Sequence, residues 1–213
     1  MRTLSYLIIF FLAPAIILLN FRLLVTNHNY YQKEFEKLGV YNTVDKNTAV
    51  VQSERLVKYL CCNGHLDPEF FTKREVLHLA DVKSRVLAAT TMLFLNLGLV
   101  ILIATILLAK KKRQILLWVL KTGSLVGILA ILTLSASSFI NFDFLFLKFH
   151  LISFTNDLWL LPPESNLIKL FPQQFFQDSA NRIATRSVIM LGIIYLLSIL
   201  IEKSFSKGSK SKY

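Results

Sequence analysis

"VLAATTMLFLNLGLVILIATILLAKKKR", Val86–Arg113, runs for 24 residues without a charged side chain and then presents four cations in a row. A helix needs about 20 predominantly apolar residues to cross the hydrocarbon core of a bilayer. This run is long enough, and the basic cluster that ends it is the kind of sequence that stays on the cytoplasmic side. The stretch marks the chain as an integral membrane protein, and the rest of the 213 residues can be read for the number and direction of its crossings.

Leu4–Val25 and Ile115–Ile140 are comparable apolar runs, and the shorter Ser187–Ile201 gains length from Ile183 and Ala184. Four spans are expected, at about residues 4–25, 86–109, 115–140 and 183–201 of one membrane domain. The first run exceeds the roughly 7–15 residues of a signal-peptide core and no small-x-small cleavage site follows it, so it reads as a retained span. Most of the net charge of +11 resides in Arg2, Lys110–Arg113 and the closing "KSFSKGSKSKY". With four spans these lie on one side, which the positive-inside rule makes cytoplasmic, together with both termini. Residues 110–114 and 202–213 are then cytoplasmic, and 26–85 and 141–182, nearly balanced in charge, are extracytoplasmic. The positive charge is a topology signal that also suits anionic headgroups. It lacks the aromatic interleaving of a nucleic-acid surface. The Lys/Ser tail reads as disordered.

The extracytoplasmic segments carry helical signals, so the expected fold class is all-α, four transmembrane helices with a mainly helical cap. "NTAVVQSERLVKYLCCNG" has apolar residues at helical spacing and a stop at Asn63-Gly64. Cys61 and Cys62 are the only cysteines, and neighbours rarely bridge. "TKRE", Thr72–Glu75, is a capping box that starts the helix leading into the second span. On that helix Arg74, His78, Asp81 and Arg85 follow steps of four, three and four and share a face. In "FLKFHLISFTNDLW", Phe146–Trp159, a helix would align Asp143, His150 and Asp157, seven residues apart, with Ser153 beside them, and Pro162-Pro163 would end it. "LIKLFPQQFF", Leu167–Phe176, looks like a membrane-surface segment.

His28 and His65 sit among polar neighbours and read as surface residues. His78 and His150 each border an apolar segment and each have a carboxylate at helical spacing, Asp81 and Asp157, as candidate orienters. General acid–base chemistry, a metal site and hydrogen bonding between helices are all open to such a pair. No HExxH motif or further His/Cys cluster supports the metal, and no GxSxG elbow supports a Ser153–His150–Asp157 triad. A transporter would need charged groups deep in the spans, where only Lys121 occurs, near the cytoplasmic edge.

"REVLHLADVK" (Arg74–Lys83), "FH" at Phe149-His150, "FTNDLW" and "LIKLFPQQFF", with "YY" at Tyr30-Tyr31 and the helix at "ERLVKYL", together resemble the bacterial four-span family that includes lipoprotein intramolecular transacylase. Where that family tends to an Asp-Pro pair and a further acid after the tryptophan, this chain has "LPPESN", Leu161–Asn166. The resemblance implies an enzyme that moves the sn-2 acyl chain of a diacylglyceryl-cysteine lipoprotein to the lipoprotein's own N-terminal α-amine, with His78 and His150 catalytic. It implies no cofactor and no metal, lipoproteins and membrane lipids as partners, and an extracytoplasmic site. Asp81, Lys83, Arg85, Asn156, Asp157, Tyr30, Tyr31 and Trp159 are its expected supporting or substrate-binding residues. The alternative, from a different class, is a non-catalytic assembly or sensor protein whose outward cap binds a partner.

Overall fold

The computed structural model describes residues 2–210, and the described residues form α-helices and one 3-10 turn, with no strand. The helices are α1 (Arg2–Val25), α2 (His28–Lys37), α3 (Lys46–Cys61), α4 (Lys73–Ala109), α5 (Arg113–Ile140), α6 (Phe142–Ser153), α7 (Asn166–Leu170) and α8 (Gln173–Lys210). Four contain segments long and apolar enough to cross a membrane: Thr3–Val25, Lys73–Ala109, Arg113–Ser138 and Gln173–Phe205. Their surfaces agree with their composition, since residues such as Phe94 and Leu95 are 67% and 68% exposed. Such a surface is a liability in water and the ordinary exterior of a protein in lipid, where a helix satisfies its own backbone. The fold is thus an all-α integral membrane fold. Helices α4 and α8 begin about a dozen residues before the apolar runs at 86 and 183, because hydropathy marks the spanning part while local capping marks the helix start. The tail expected to be disordered continues α8 through Lys210, and its last residues, 211–213, lie outside the described residues.

The chain packs as two compact units. One gathers residues up to Asn20, Thr91–Ala136 and the chain from Ile183 onward. Its core joins Ile8, Leu12, Ile103, Leu107, Val119 and Leu191. Glycines let α5 approach α1 closely: a Cβ on Gly127 would fall 2.5 Å from the Ala13 Cβ and 3.0 Å from the Leu191 Cδ1, and one on Gly123 would fall 3.1 Å from the Ile9 Cα. This is small-xxx-small packing, the way helices gain contact where lipid removes the hydrophobic drive. Asn20, buried on α1, donates to the Ile16 carbonyl at 2.9 Å and to the Ser187 Oγ on α8 at 3.2 Å. Lys121, which alone among the span residues suggested a transport path, donates to Glu202 of α8 at 2.6 Å.

The other unit comprises Phe21–Thr90 and Ser137–Arg182. Its centre is aromatic: Tyr31 lies 5.9 Å from Phe171 and 5.4 Å from Phe175, and Phe35 lies 5.5 Å from Phe171. Leu167 and Leu170 are buried too, so most of the segment expected at the membrane surface belongs to this core. Its partners come from α2, more than 130 residues earlier, where local patterning cannot find them. The same helices are tied by Lys37 to Asp178 at 2.8 Å and by the Tyr30 hydroxyl with Ser179 at 3.0 Å. Helix α3 matches its expected limits, capped by Asp45, whose Oδ2 accepts from the Thr48 N–H at 3.0 Å. It ends at two free thiols, Cys61 half-buried and Cys62 exposed.

The capping box forms as expected. The Glu75 Oε2 accepts from the Thr72 N–H at 2.7 Å and the Glu75 N–H donates to the Thr72 Oγ1 at 3.4 Å. Glu75 does more than its motif requires: it is fully buried, and its Oε1 accepts from the Leu167 N–H of α7 at 2.7 Å. Asn166 reinforces the junction by donating to the Phe70 carbonyl at 2.6 Å.

Two stability outcomes follow from this packing. Gly127→Leu overpacks the α1–α5 contact and lowers the thermal unfolding temperature in detergent, at a cost of about 1–3 kcal/mol; Gly98→Leu, with nothing within 4 Å of its Cβ position, leaves it unchanged. Glu75→Ala strands two backbone donors at about 1–3 kcal/mol each, and Glu75→Gln, which keeps one acceptor oxygen, loses less in the same assay.

Candidate active site

The cap at Thr72 sets the phase of α4, which puts His78 on the helix's second turn with 7% of its surface exposed. Helix α6 is capped by Asn141, whose Oδ1 accepts from the Phe144 N–H at 2.9 Å, and carries His150 near its end with 8% exposed. The two imidazoles converge, with ring centres 6.4 Å apart and planes inclined by 28°. Aromatic rings wall them in. Phe154 lies 5.2 Å from His78 and 5.6 Å from His150, while Phe146 and Trp159 lie 4.4 Å and 5.0 Å from His150.

The two rings are held differently. The His150 Nδ1 is 2.8 Å from the Phe146 carbonyl oxygen. That oxygen can only accept, so Nδ1 carries the proton, and in the neutral ring Nε2 keeps its lone pair. The His78 Nδ1 is buried and has no hydrogen-bond partner among the described residues. One imidazole therefore has an assigned tautomer, and the other has a buried ring nitrogen that no protein group among the described residues engages. Among the described residues no three His, Cys, Asp or Glu side chains stand together as a metal cage.

Helix α6 stops at Ser153 instead of running to Pro162-Pro163. Phe154 turns extended (φ −127°, ψ 136°) and buries its ring against the imidazoles, a tertiary contact that overrides the helical pattern. Asp157 consequently leaves the stripe it was expected to share with Asp143 and His150. The Phe146 carbonyl, not Asp157, orients His150, which also removes the basis of the Ser153–His150–Asp157 triad. Asp81 does not hydrogen-bond His78 either; its carboxylate accepts from the Asn156 Nδ2 at 2.9 Å. The shared face on α4 is nonetheless real. Arg74 donates to the Asp157 carbonyl, Asp81 holds Asn156, and the Arg85 guanidinium stands 6.0 Å from the Phe154 ring centre. This face clamps the loop that bears Phe154 and Trp159.

The remaining expected residues are elsewhere in the unit. The Lys83 ammonium lies 4.4 Å over the Tyr59 ring of α3. Tyr30 and Tyr31 belong to the aromatic core; the Tyr31 hydroxyl donates to the Val25 carbonyl at 3.0 Å, and burial pushes its phenol above the ordinary tyrosine range. His28 is partly buried rather than superficial, with its Nδ1 enclosed, while His65 is exposed as expected. Phe154, which sequence reasoning passed over, sits four residues after His150, as Phe146 sits four before it, and could have been found by that spacing.

Comparison with known proteins supplies the relatives. A family model described as "Lipoprotein intramolecular transacylase Lit" matches residues 6–176. A protein of Aquifex aeolicus (strain VF5), described as uncharacterized, is 29% identical over 138 residues, 65% of this chain; the chain spans 60% of that relative's length. The in meso structure of the membrane integral lipoprotein intramolecular transacylase Lit from Bacillus cereus is similar with a TM-score of 0.87 and 23% identity, covering 97% of each chain. A histidine-to-alanine mutant of the same Bacillus cereus protein gives 0.82 and 22%, covering 97% of this chain and 95% of that one. These structures share the fold. The family match, which runs through both imidazoles and most of the chain, assigns this protein to the lipoprotein intramolecular transacylase family.

Proposed function

We propose that this chain is a membrane acyltransferase that moves the sn-2 acyl chain of a diacylglyceryl-cysteine lipoprotein to the α-amine of the same cysteine, leaving an N-acyl, S-monoacylglyceryl product. The reaction takes place on the extracytoplasmic side, needs no cofactor, and has lipoproteins and membrane lipids rather than nucleic acid as partners. The observation that carries this reading is the convergence of two buried imidazoles behind an aromatic wall, in a chain of this family.

Transfer is ester aminolysis. The amine nitrogen bonds to the acyl carbon, the bond from that carbon to the glycerol oxygen breaks, the amine loses a proton and the glycerol oxygen gains one. An α-amine has an ordinary pKa of about 7.7–8.0, so much of it is a non-nucleophilic ammonium at neutral pH. A base is needed at attack and an acid at departure. His150, with its Nδ1–H held by Phe146, offers the Nε2 lone pair as the base. His78 relays a proton to the glycerol oxygen. Nucleophile and ester belong to one molecule, and direct attack closes a ring of about eight atoms, so the site's task is to hold the bent conformer. The rings of Phe146, Phe154 and Trp159 exclude the water that would otherwise hydrolyse the ester. The Arg85 guanidinium stands against this wall at Phe154 and suits the developing oxyanion or the glycerol oxygens. Arg74, Asp81 and Asn156 act as positioning residues through the loop.

His78→Ala or His150→Ala in folded protein lowers formation of the N-acylated lyso product by about 10²–10⁴-fold, read by mass spectrometry of an N-terminal lipopeptide; His65→Ala changes nothing. Normal turnover in either variant, or unchanged acyl positions on lipoproteins of cells lacking the chain, would return it to the non-catalytic class. Asp81→Ala frees Asn156 and lowers kcat by up to about 10²-fold, and Asp81→Asn recovers most of it, which a carboxylate needed for its charge would not allow.

A further inference from the structure

We propose that α6 lies in the plane of the membrane interface, with its exposed face among lipid acyl chains, so that His150 is presented to lipid-linked molecules from within the bilayer. Placement of α6 stands on geometry alone; the second half deepens the transferase reading and rests on it.

Twelve residues cannot cross a bilayer, which takes about 20. Yet the segment is apolar on most of its circumference. Ile152, near its C-terminal end, is 84% exposed, and Phe144, Leu147, Phe149 and Leu151 are each about half exposed. Steps of three and four place Phe144, Leu147 and Leu151 on one stripe, while Phe146 and His150, four apart, share the protein side. A patch of this kind on so short a helix requires a cover.

Chain connectivity says what the cover is. The apolar span Arg113–Ser138 ends four residues before α6 begins at Phe142, and four residues reach at most about 14 Å. The start of α6 is therefore held close to the zone where hydrocarbon gives way to headgroups, and its exposed apolar face favours lying along that zone over projecting from it. The one cation on the exposed arc behaves as interfacial lysines do: the Lys148 Nζ lies 5.5 Å over the Phe144 ring, its stem along the apolar face and its charge available to lipid phosphates. Asp143 is held by the Gln173 Nε2 at 2.5 Å. His150 is buried between two neighbours in sequence, Phe149 and Leu151, that face outward. An acyl chain lying along α6 would bring its ester to the imidazole without leaving the bilayer.

The test uses the full chain with Cys61→Ser and Cys62→Ser, reconstituted in liposomes whose phospholipids carry bromines on the acyl chains. An environment-sensitive fluorophore is attached to Leu147→Cys or Ile152→Cys on α6, to Leu95→Cys on a span as the lipid reference, and to Asn47→Cys, an exposed position on α3, as the aqueous one. Quenching at Leu147 and Ile152 equal to that at Leu95 is expected. Quenching no greater than at Asn47 would overturn the placement, as would protection from both brominated lipid and aqueous iodide, which means a protein cover. With a bilayer-embedded diacylglyceryl lipopeptide, Leu147→Glu combined with Leu151→Glu raises KM and spares kcat; an unchanged KM overturns lateral entry. The two proposals fail separately. An active enzyme with unquenched α6 removes the interfacial helix, and a quenched α6 in a chain that forms no N-acyl product removes the transferase.

Discussion

A carboxylate with no exposed surface governs the geometry of the histidine pair. Glu75 accepts one backbone N–H at the start of its own helix and another from α7, 92 residues away. The first bond sets where α4 begins, and therefore which residues fall on each of its faces. The second anchors the segment that leads into Phe171 and Phe175, the centre of the aromatic core. Burying a carboxylate is costly unless its oxygens are engaged, and here both accept charge-assisted hydrogen bonds. The outcome is a rigid frame one turn before His78.

On that frame the polar residues of α4 divide the work by distance along one face. Arg74 and Asp81 hold the backbone and side chain of the loop after α6, and that loop delivers Phe154 and Trp159 to the imidazoles. The charged residues thus do not touch the histidines; they fix the apolar groups that do. This is a sensible division for a site that must keep water away from an ester while moving protons. A carboxylate hydrogen-bonded to an imidazole would itself have to be desolvated beside it, whereas the Phe146 carbonyl orients His150 with a group the helix already provides.

Features carried by period and run length were legible in the sequence. The spans stand out because hydrocarbon demands length and tolerates no charge, the start of α4 because a capping box is local, and the Arg74–His78–Asp81–Arg85 face because a helix repeats every 3.6 residues. Features decided by partners distant in sequence were not. Ser153, Thr155, Asn156 and Asp157 form a turn-prone cluster, but the helical spacing of His150 and Asp157 points past it; what fixes the end of α6 is the Phe154 ring packing with His78, 76 residues earlier. Leu167–Phe176 has the composition of an interfacial segment and becomes core because α2 presents Tyr31 and Phe35 to it. The second bond of Glu75 is invisible for the same reason.

The exchange between those last two segments is itself informative. Both Leu167–Phe176 and α6 are aromatic, apolar and too short to span, and composition alone favours the first for the interface. Burial separates them: Leu170 and Phe171 are enclosed, while α6 keeps Phe144, Leu147, Phe149, Leu151 and Ile152 exposed and fully buries only His150. A histidine on a helix of this kind is reached from two media. Protons and the amine belong to the aqueous side, and the ester with its acyl chains belongs to lipid. Aminolysis needs the two brought together with little free water, and a short helix with one buried imidazole and an apolar exterior supplies that meeting point.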